Sequence, residues 1–141
     1  MDASQASRNR RMIETSSEPG GFPMYVDGFV LPLPVKNLAA YKRLARKAGK
    51  IWLEHGALAY RECVADDVQG GELTSFPQAV QLKRGETVVF SWAVYKSRAH
   101  RDRVIKKVMS DPRLDLKPRE LPFDGMRMFW GGFRTIVNLD A

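Results

Sequence analysis

The sequence predicts an α+β fold: a ferredoxin-like βαββαβ arrangement with an antiparallel sheet, two copies of which close into a dimeric α+β barrel. Three observations predict it. Strand and helix signals follow one another as strand, helix, strand, strand, helix, strand. Residues 87–95, TVVFSWAVY, carry no charge and are rich in β-branched and aromatic side chains, as a central strand requires. The strands are also apolar on both sides, while two helices can cover one side only.

Residues 1–23 differ from all that follow. They are polar, their three arginines balance three acids, and they close on Pro19, Gly20, Gly21 and Pro23. Such a segment buries too little apolar surface to offset its ordering entropy. It is expected to be a disordered N-terminal extension, with Met24 as an alternative start, and residues 24–141 are expected to form one domain.

The first strand is expected at 25–31, ended by Pro32 and Pro34, with Gly28 marking a bulge or a close backbone approach. Asn37 is a suitable N-cap for the first helix. There Leu38, Tyr41, Leu44, Ala45, Ala48, Ile51, Trp52 and His55 recur at helical spacing, with Lys42, Arg43, Arg46, Lys47 and Lys50 on the other side and Gly56 as the stop. Residues 58–64, LAYRECV, read as the second strand. A polar stretch to about residue 80 follows, with a short extra strand expected at 79–83, and Arg84-Gly85 turn the chain into the central strand. Ser97 caps the second helix, which carries Val104, Ile105 and Val108 inward and stops before Asp111-Pro112. Residues 127–139 are expected to supply the last strand.

The alternation places Val88, Phe90, Trp92 and Val94 on one side of the central strand and Thr87, Val89, Ser91, Ala93 and Tyr95 on the other. In the last strand Phe129, Phe133 and Val137 oppose Met128, Trp130 and Ile136. An apolar face of that size left in water would be adhesive, so a second copy of the chain is the economical cover and a homodimer is expected.

Composition narrows the function. Hydrophobic residues make up 44% of the 141, enough for a packed core, and the formal net charge is +7. The cations are interleaved with acids rather than gathered into a tail, which favours a solvated basic surface over a nucleic-acid footprint. RNA-binding sheets stack bases on exposed aromatics, whereas these aromatics sit inside apolar runs, so nucleic acid is not an expected partner. One cysteine, Cys63, excludes an intrachain disulfide, and the two histidines, His55 and His100, fit no zinc spacing. No apolar run approaches the roughly 18 residues of a membrane span, and no secretory h-region opens the chain, so a cytoplasmic protein without membrane contact is expected. No metal and no cofactor is expected.

Three long blocks carry a family resemblance: MYVDGFVLPLPVKNLAAYKRLARKAGKIWLEHGALAYRECVADD, then SFPQAVQLKRGETVVFSWAVYKSRAHRDRV, then LPFDGMRMFWGGF. They resemble the YbaA-like proteins, a bacterial family of unknown function, over nearly all of residues 24–139. The resemblance implies a dimeric α/β-barrel fold and carries over no catalytic or binding residue. The architecture is more distantly similar to antibiotic-biosynthesis-monooxygenase-type barrels, which use pockets between sheet and helices, a likeness of fold that does not fix function.

Charged and polar groups inside strands point to a site, because a buried charge must pair or face a wet cavity. Tyr60 and Glu62 share one face of the second strand and form a candidate acid/base pair, with His55 at the end of the first helix as a further candidate general base. Asp27 and Arg134 lie within strands, Trp92 offers a stacking surface, and Arg98, with His100 and Arg101, opens the second helix where an anion is favoured. Asp27, Trp92, Arg98 and Arg134 are therefore the candidate ligand-binding residues. Asp66 and Asp67 follow the second strand, but no metal-binding spacing accompanies them. The preferred function is a homodimer that binds a small molecule, aromatic or anionic, as a cofactor-independent enzyme of monooxygenase or isomerase type. A non-enzymatic interaction or stress-related dimer is the alternative.

Overall fold

A computed structural model describes residues 24–141; the expected extension, residues 1–23, lies outside the described residues. The chain runs β1 (Tyr25–Pro34), a 3-10 turn (Val35–Asn37), α1 (Leu38–Glu54), β2 (Ala59–Val64), α2 (Phe76–Ala79), β3 (Glu86–Tyr95), α3 (Arg98–Met109) and β4 (Phe129–Arg134). Three further 3-10 turns, at Pro112–Leu114, Pro118–Glu120 and Gly125–Arg127, join α3 to β4. The strands form one four-stranded sheet in the order β2-β3-β1-β4, antiparallel at every pairing. The fold is thus α+β, and β1 and β3 are its central strands.

Register decides which side chains share a face. Tyr25, Asp27, Phe29, Leu31 and Leu33 of β1 align with Tyr95, Ala93, Ser91, Val89 and Thr87 of β3, and Tyr60 and Glu62 align with Ala93 and Ser91. The helices pack on this face. Near one end Tyr25, Ala93 and Tyr95 meet Val104 and Val108 of α3. Towards the other, Leu31, Leu33 and Val89 meet Tyr41 and Ala45 of α1. On the opposite face a smaller cluster of Val30, Val80 and Val88 lies under the α2 segment.

Three elements differ from their sequence reading. β1 continues through Pro32 and Pro34 to its end. In β1 the odd-numbered backbone groups bond towards β3, as the Val35 N–H donation to Gly85 O shows, and the even-numbered ones face β4, as the Thr135 N–H donation to Met24 O shows. The β4 pairing stops at Val30, so both prolines lack an N–H only where none could be used. Gly28 marks no bulge: the register runs through it unbroken, and an added Cβ would touch nothing within 4 Å. The expected strand at 79–83 is instead the end of α2 and a turn. Ser75 Oγ accepts from Gln78 N–H at 3.1 Å, Pro77 sits in the first helical turn, and Val80 is driven into the core. β4 ends at Arg134 rather than 139.

The caps follow chemistry more closely. Ser97 Oγ accepts from His100 N–H at 3.1 Å and starts α3 as expected. Asn37 occupies the cap position of α1, but its amide donates to Pro122 O at 2.8 Å, tying the long connection to the helix start. That connection is also held by Arg127, whose guanidinium bonds both carboxylate oxygens of Glu86 at 2.7 and 2.6 Å and Asp124 at 2.9 Å. The Arg127 contacts hold both carboxyls below their ordinary range. Among the described residues no helix is long and apolar enough to cross a membrane.

Candidate functional site

Glu62 sits at mid-strand in β2, where an unpaired carboxylate under a helix would be costly. Two phenols meet it. Tyr41 donates to Oε2 at 2.6 Å from α1, and Tyr60 donates to Oε1 at 2.7 Å from the same strand face. Burial first, and then the Glu62 charge, push both phenols well above their ordinary pKa, so they remain protonated donors. Both oxygens of Glu62 are therefore occupied once each.

The helix accommodates this pairing at some cost. Gly49 lies within α1, where glycine is less favourable than alanine by about 1 kcal/mol. A Cβ at Gly49 would lie 2.7 Å from the Tyr60 ring. The missing side chain lets Tyr60 lie against the helix backbone and reach Glu62. Gly49→Ala is accordingly expected to destabilise the fold by about 1–2 kcal/mol in denaturant titration, overpacking outweighing the helix gain. A stabilised Gly49→Ala would show that Tyr60 is not held by this contact.

These residues line a groove of about 470 Å³ between α1 and β2. Its apolar walls include Leu38, Ala45, Leu53, Val64 and Val89, and Lys42, Arg46 and Lys50 line it from α1. The volume falls in the range of small-molecule sites, and an apolar cleft with a few convergent polar groups is the form such sites take. Chemically, Glu62 can accept a hydrogen bond or a proton from a bound molecule, while Tyr41 and Tyr60 hold its orientation and stabilise its charge.

A second polar group lies under α3. Asp27 is 1% exposed and its Oδ1 accepts from Arg101 Nε at 3.0 Å. Arg101 also donates to Asp102 at 2.8 Å and to the Tyr25 hydroxyl at 3.3 Å, its guanidinium 5.0 Å from the Tyr25 ring centroid. The Tyr95 hydroxyl accepts from Trp52 Nε1 at 2.9 Å and lies beside Asp27, close enough to help its charged form, but Oδ2 has no completed hydrogen bond. Burial dominates, and the Asp27 carboxyl is raised above its ordinary pKa despite Arg101. Gly132 is required here, because a Cβ would collide with Arg101 Nη2 and the Tyr25 hydroxyl.

The remaining candidates are dispersed. His55 caps α1 at its C-terminal end and its Nε2 bonds Asp111 Oδ2 at 2.9 Å, away from the groove-lining residues. Arg113 joins that pair to Glu54, and its hydrogen bonds, followed by that of His55, hold Asp111 well below its ordinary range. Trp92 is on the face opposite α1 and α3, packed against Phe90 with ring centroids 5.5 Å apart. Trp130 lies on the opposite side of the sheet from Trp92, with α1 and α3, and stacks on Phe29 at 6.2 Å, because β4 aligns Gly131 rather than Trp130 with the Gly28–Trp92 row. Arg98 is exposed at the start of α3, Arg134 is exposed at the end of β4, and neither reaches the groove. The anion site expected on α3 loses Arg101 to Asp27, and His100 Nδ1 accepts from Lys96 N–H at 2.9 Å. Among the described residues no cluster of three His, Cys, Asp or Glu could hold a metal ion, Asp66 and Asp67 included. Tyr41 escaped the sequence reading as a polar group. It occupies an apolar stripe, and only the seating of α1 on β2 reveals its hydroxyl's partner.

Comparison with known proteins places the chain among relatives of similar length. It is 46% identical over 114 residues to "Uncharacterized protein YbaA" of Escherichia coli (strain K12), covering 81% of this chain and 97% of the relative. The same identity and coverage hold for the Shigella flexneri protein of that name. Among solved structures, "De novo designed protein Foldit4" aligns over 82% of this chain and 99% of its own with a TM-score of 0.39 and 9% identity, too distant to inform the fold. The family model described as "Protein of unknown function (DUF1428)" matches residues 24–125, and the chain belongs to that family.

Proposed function

We propose that the protein is a cytoplasmic, small-molecule-binding homodimer of ferredoxin-like topology, its ligand seated in the groove between α1 and β2. The observation that carries this reading is Glu62, held by Tyr41 and Tyr60 in a cleft whose other walls are apolar apart from the α1 cations. A carboxylate bonded by two phenols is an expensive way to fill a core and an effective way to orient a hydrogen-bond acceptor or general base. A cofactor-independent proton transfer, of the isomerase or monooxygenase type, is the chemistry that Glu62 and the two tyrosines would serve.

The strand order and all-antiparallel pairing support the ferredoxin-like description. Dimerisation rests on the face opposite α1 and α3, of which the short α2 covers only one part. Phe90, Phe129 and Phe133 stand 43%, 44% and 65% exposed there, and Gly28 leaves a recess beside Trp92. Two such faces opposed would bury the patch and complete the barrel. The single cysteine, exposed and free, suits a reducing compartment.

A thermal-shift screen of aromatic, quinone-like and anionic compounds on the full chain tests the ligand reading. Stabilisation by a hit is expected to be reduced in Glu62→Gln or Tyr41→Phe while the unliganded melting temperature of Tyr41→Phe falls by only a few degrees. A screen without hits, or hits indifferent to both substitutions, would remove the groove as the site.

A further inference from the structure

Three cations stand on one row of α1. Lys42, Arg46 and Lys50 are four residues apart, so they rise along one side of the helix in steps of about 6 Å and span about 12 Å. All three line the groove. Among the described residues none of them has an ion pair or a side-chain hydrogen bond, although the same protein pairs Arg101, Arg113 and Arg127 with carboxylates. The groove's apolar lining includes Leu38, Ala45, Leu53 and Val89.

The groove therefore has three chemical zones. The α1 side is an unneutralised cationic row. The middle is hydrocarbon. The β2 side is a carboxylate that offers about four acceptor positions, two of them taken by Tyr41 and Tyr60. The two remaining positions can serve only a donor. An anion placed against Glu62 would be repelled, so an anionic group belongs at the row and an O–H or N–H group at Glu62.

Resting on the reading of the groove as the binding site, we propose that its ligand class is a hydroxylated amphipathic acid. Its carboxylate pairs with the Lys42–Arg46–Lys50 row, its apolar body lies along Leu38, Ala45, Leu53 and Val89, and its hydroxyl donates to Glu62.

Isothermal titration of the full chain with 10-hydroxydecanoate, decanoate and methyl 10-hydroxydecanoate tests each zone. The hydroxy acid is expected to bind at least about tenfold more tightly than its methyl ester, and raised salt is expected to erase most of that difference by screening exposed charges. The triple variant Lys42→Ala/Arg46→Ala/Lys50→Ala should bind acid and ester equally. Glu62→Gln should keep the acid-over-ester preference and lose the preference for the hydroxy acid over decanoate. Circular dichroism confirms that each variant is folded. If none of the three probes binds, the amphipathic-acid class is overturned, and the groove falls with it only where the thermal-shift screen also gives no groove-dependent hit. If the ester binds as well as the acid, the groove stands and the anionic ligand class is overturned. If Glu62→Gln leaves the hydroxyl preference intact, the donor placement is overturned.

Discussion

Arg101→Ala is expected to destabilise the fold by about 3–5 kcal/mol at neutral pH, the usual consequence of stripping a buried charge of its partner. Asp27 is fully buried on a central strand, and Arg101 supplies its one completed hydrogen bond. Without the guanidinium, the ionised carboxylate is left between β1 and α3 with only the Tyr95 hydroxyl beside it. Acid should restore part of the loss. The folded Asp27 carboxyl is raised above its ordinary value, chiefly by burial, so the folded state holds that proton more tightly than the unfolded chain does. Its contribution is fully favourable below the unfolded value of about 3.9 and is lost as pH rises through the raised folded value. Removing Arg101 raises the folded value further and widens that window upward. Denaturant titrations at pH 7 and pH 4.5 should therefore show a smaller gap between Arg101→Ala and the unaltered protein at the lower pH. The double substitution Asp27→Asn/Arg101→Ala should be more stable than Arg101→Ala alone at pH 7. Equal losses at both pH values would mean that the cation–ring contact with Tyr25, rather than the Asp27 charge, carries the effect of Arg101.

In the proposed dimer, Phe133→Asp should yield a monomer at concentrations where the unaltered protein is paired. Phe133 is exposed in the isolated protomer, so the substitution removes little from the monomer's own core. In a two-fold interface it acts twice. An aromatic buried in an interface contributes about 2 kcal/mol when truncated, so two copies weaken association by about 4 kcal/mol, roughly a thousandfold in dissociation constant. Sedimentation velocity on both proteins over a hundredfold concentration range reads this directly. A monomeric unaltered protein, or an undiminished dimer in Phe133→Asp, would rule out closure through this face.

What could be read from the sequence was what neighbouring residues decide together. The helical stripe of α1, the uncharged run of β3 and the Ser97 cap follow from periodicity and local hydrogen-bond chemistry, and each stands in the structure. Tyr60 and Glu62 could be paired because a strand puts alternate residues on one face. Partnerships across the chain were out of reach. Tyr41 meets Glu62 and Arg101 meets Asp27 only through the seating of a helix on the sheet, 21 and 74 residues away respectively. The tyrosine looked like an ordinary core residue and the arginine like part of an anion site at the start of α3. Proline misled for a different reason. Its strand-breaking reputation assumes that a donor is needed at that position, and at 32 and 34 none is.

Those two prolines have a consequence for how the protein stays apart from its neighbours. Beyond Val30 one flank of β1 has no partner strand, although Pro32 is buried there, and a flank without a partner strand invites an intruding chain to dock and propagate once it opens. At every second position there, where an incoming carbonyl would look for a donor, it finds a pyrrolidine ring instead. The central strand can thus run past the end of its shorter neighbour without seeding a fibril from that margin.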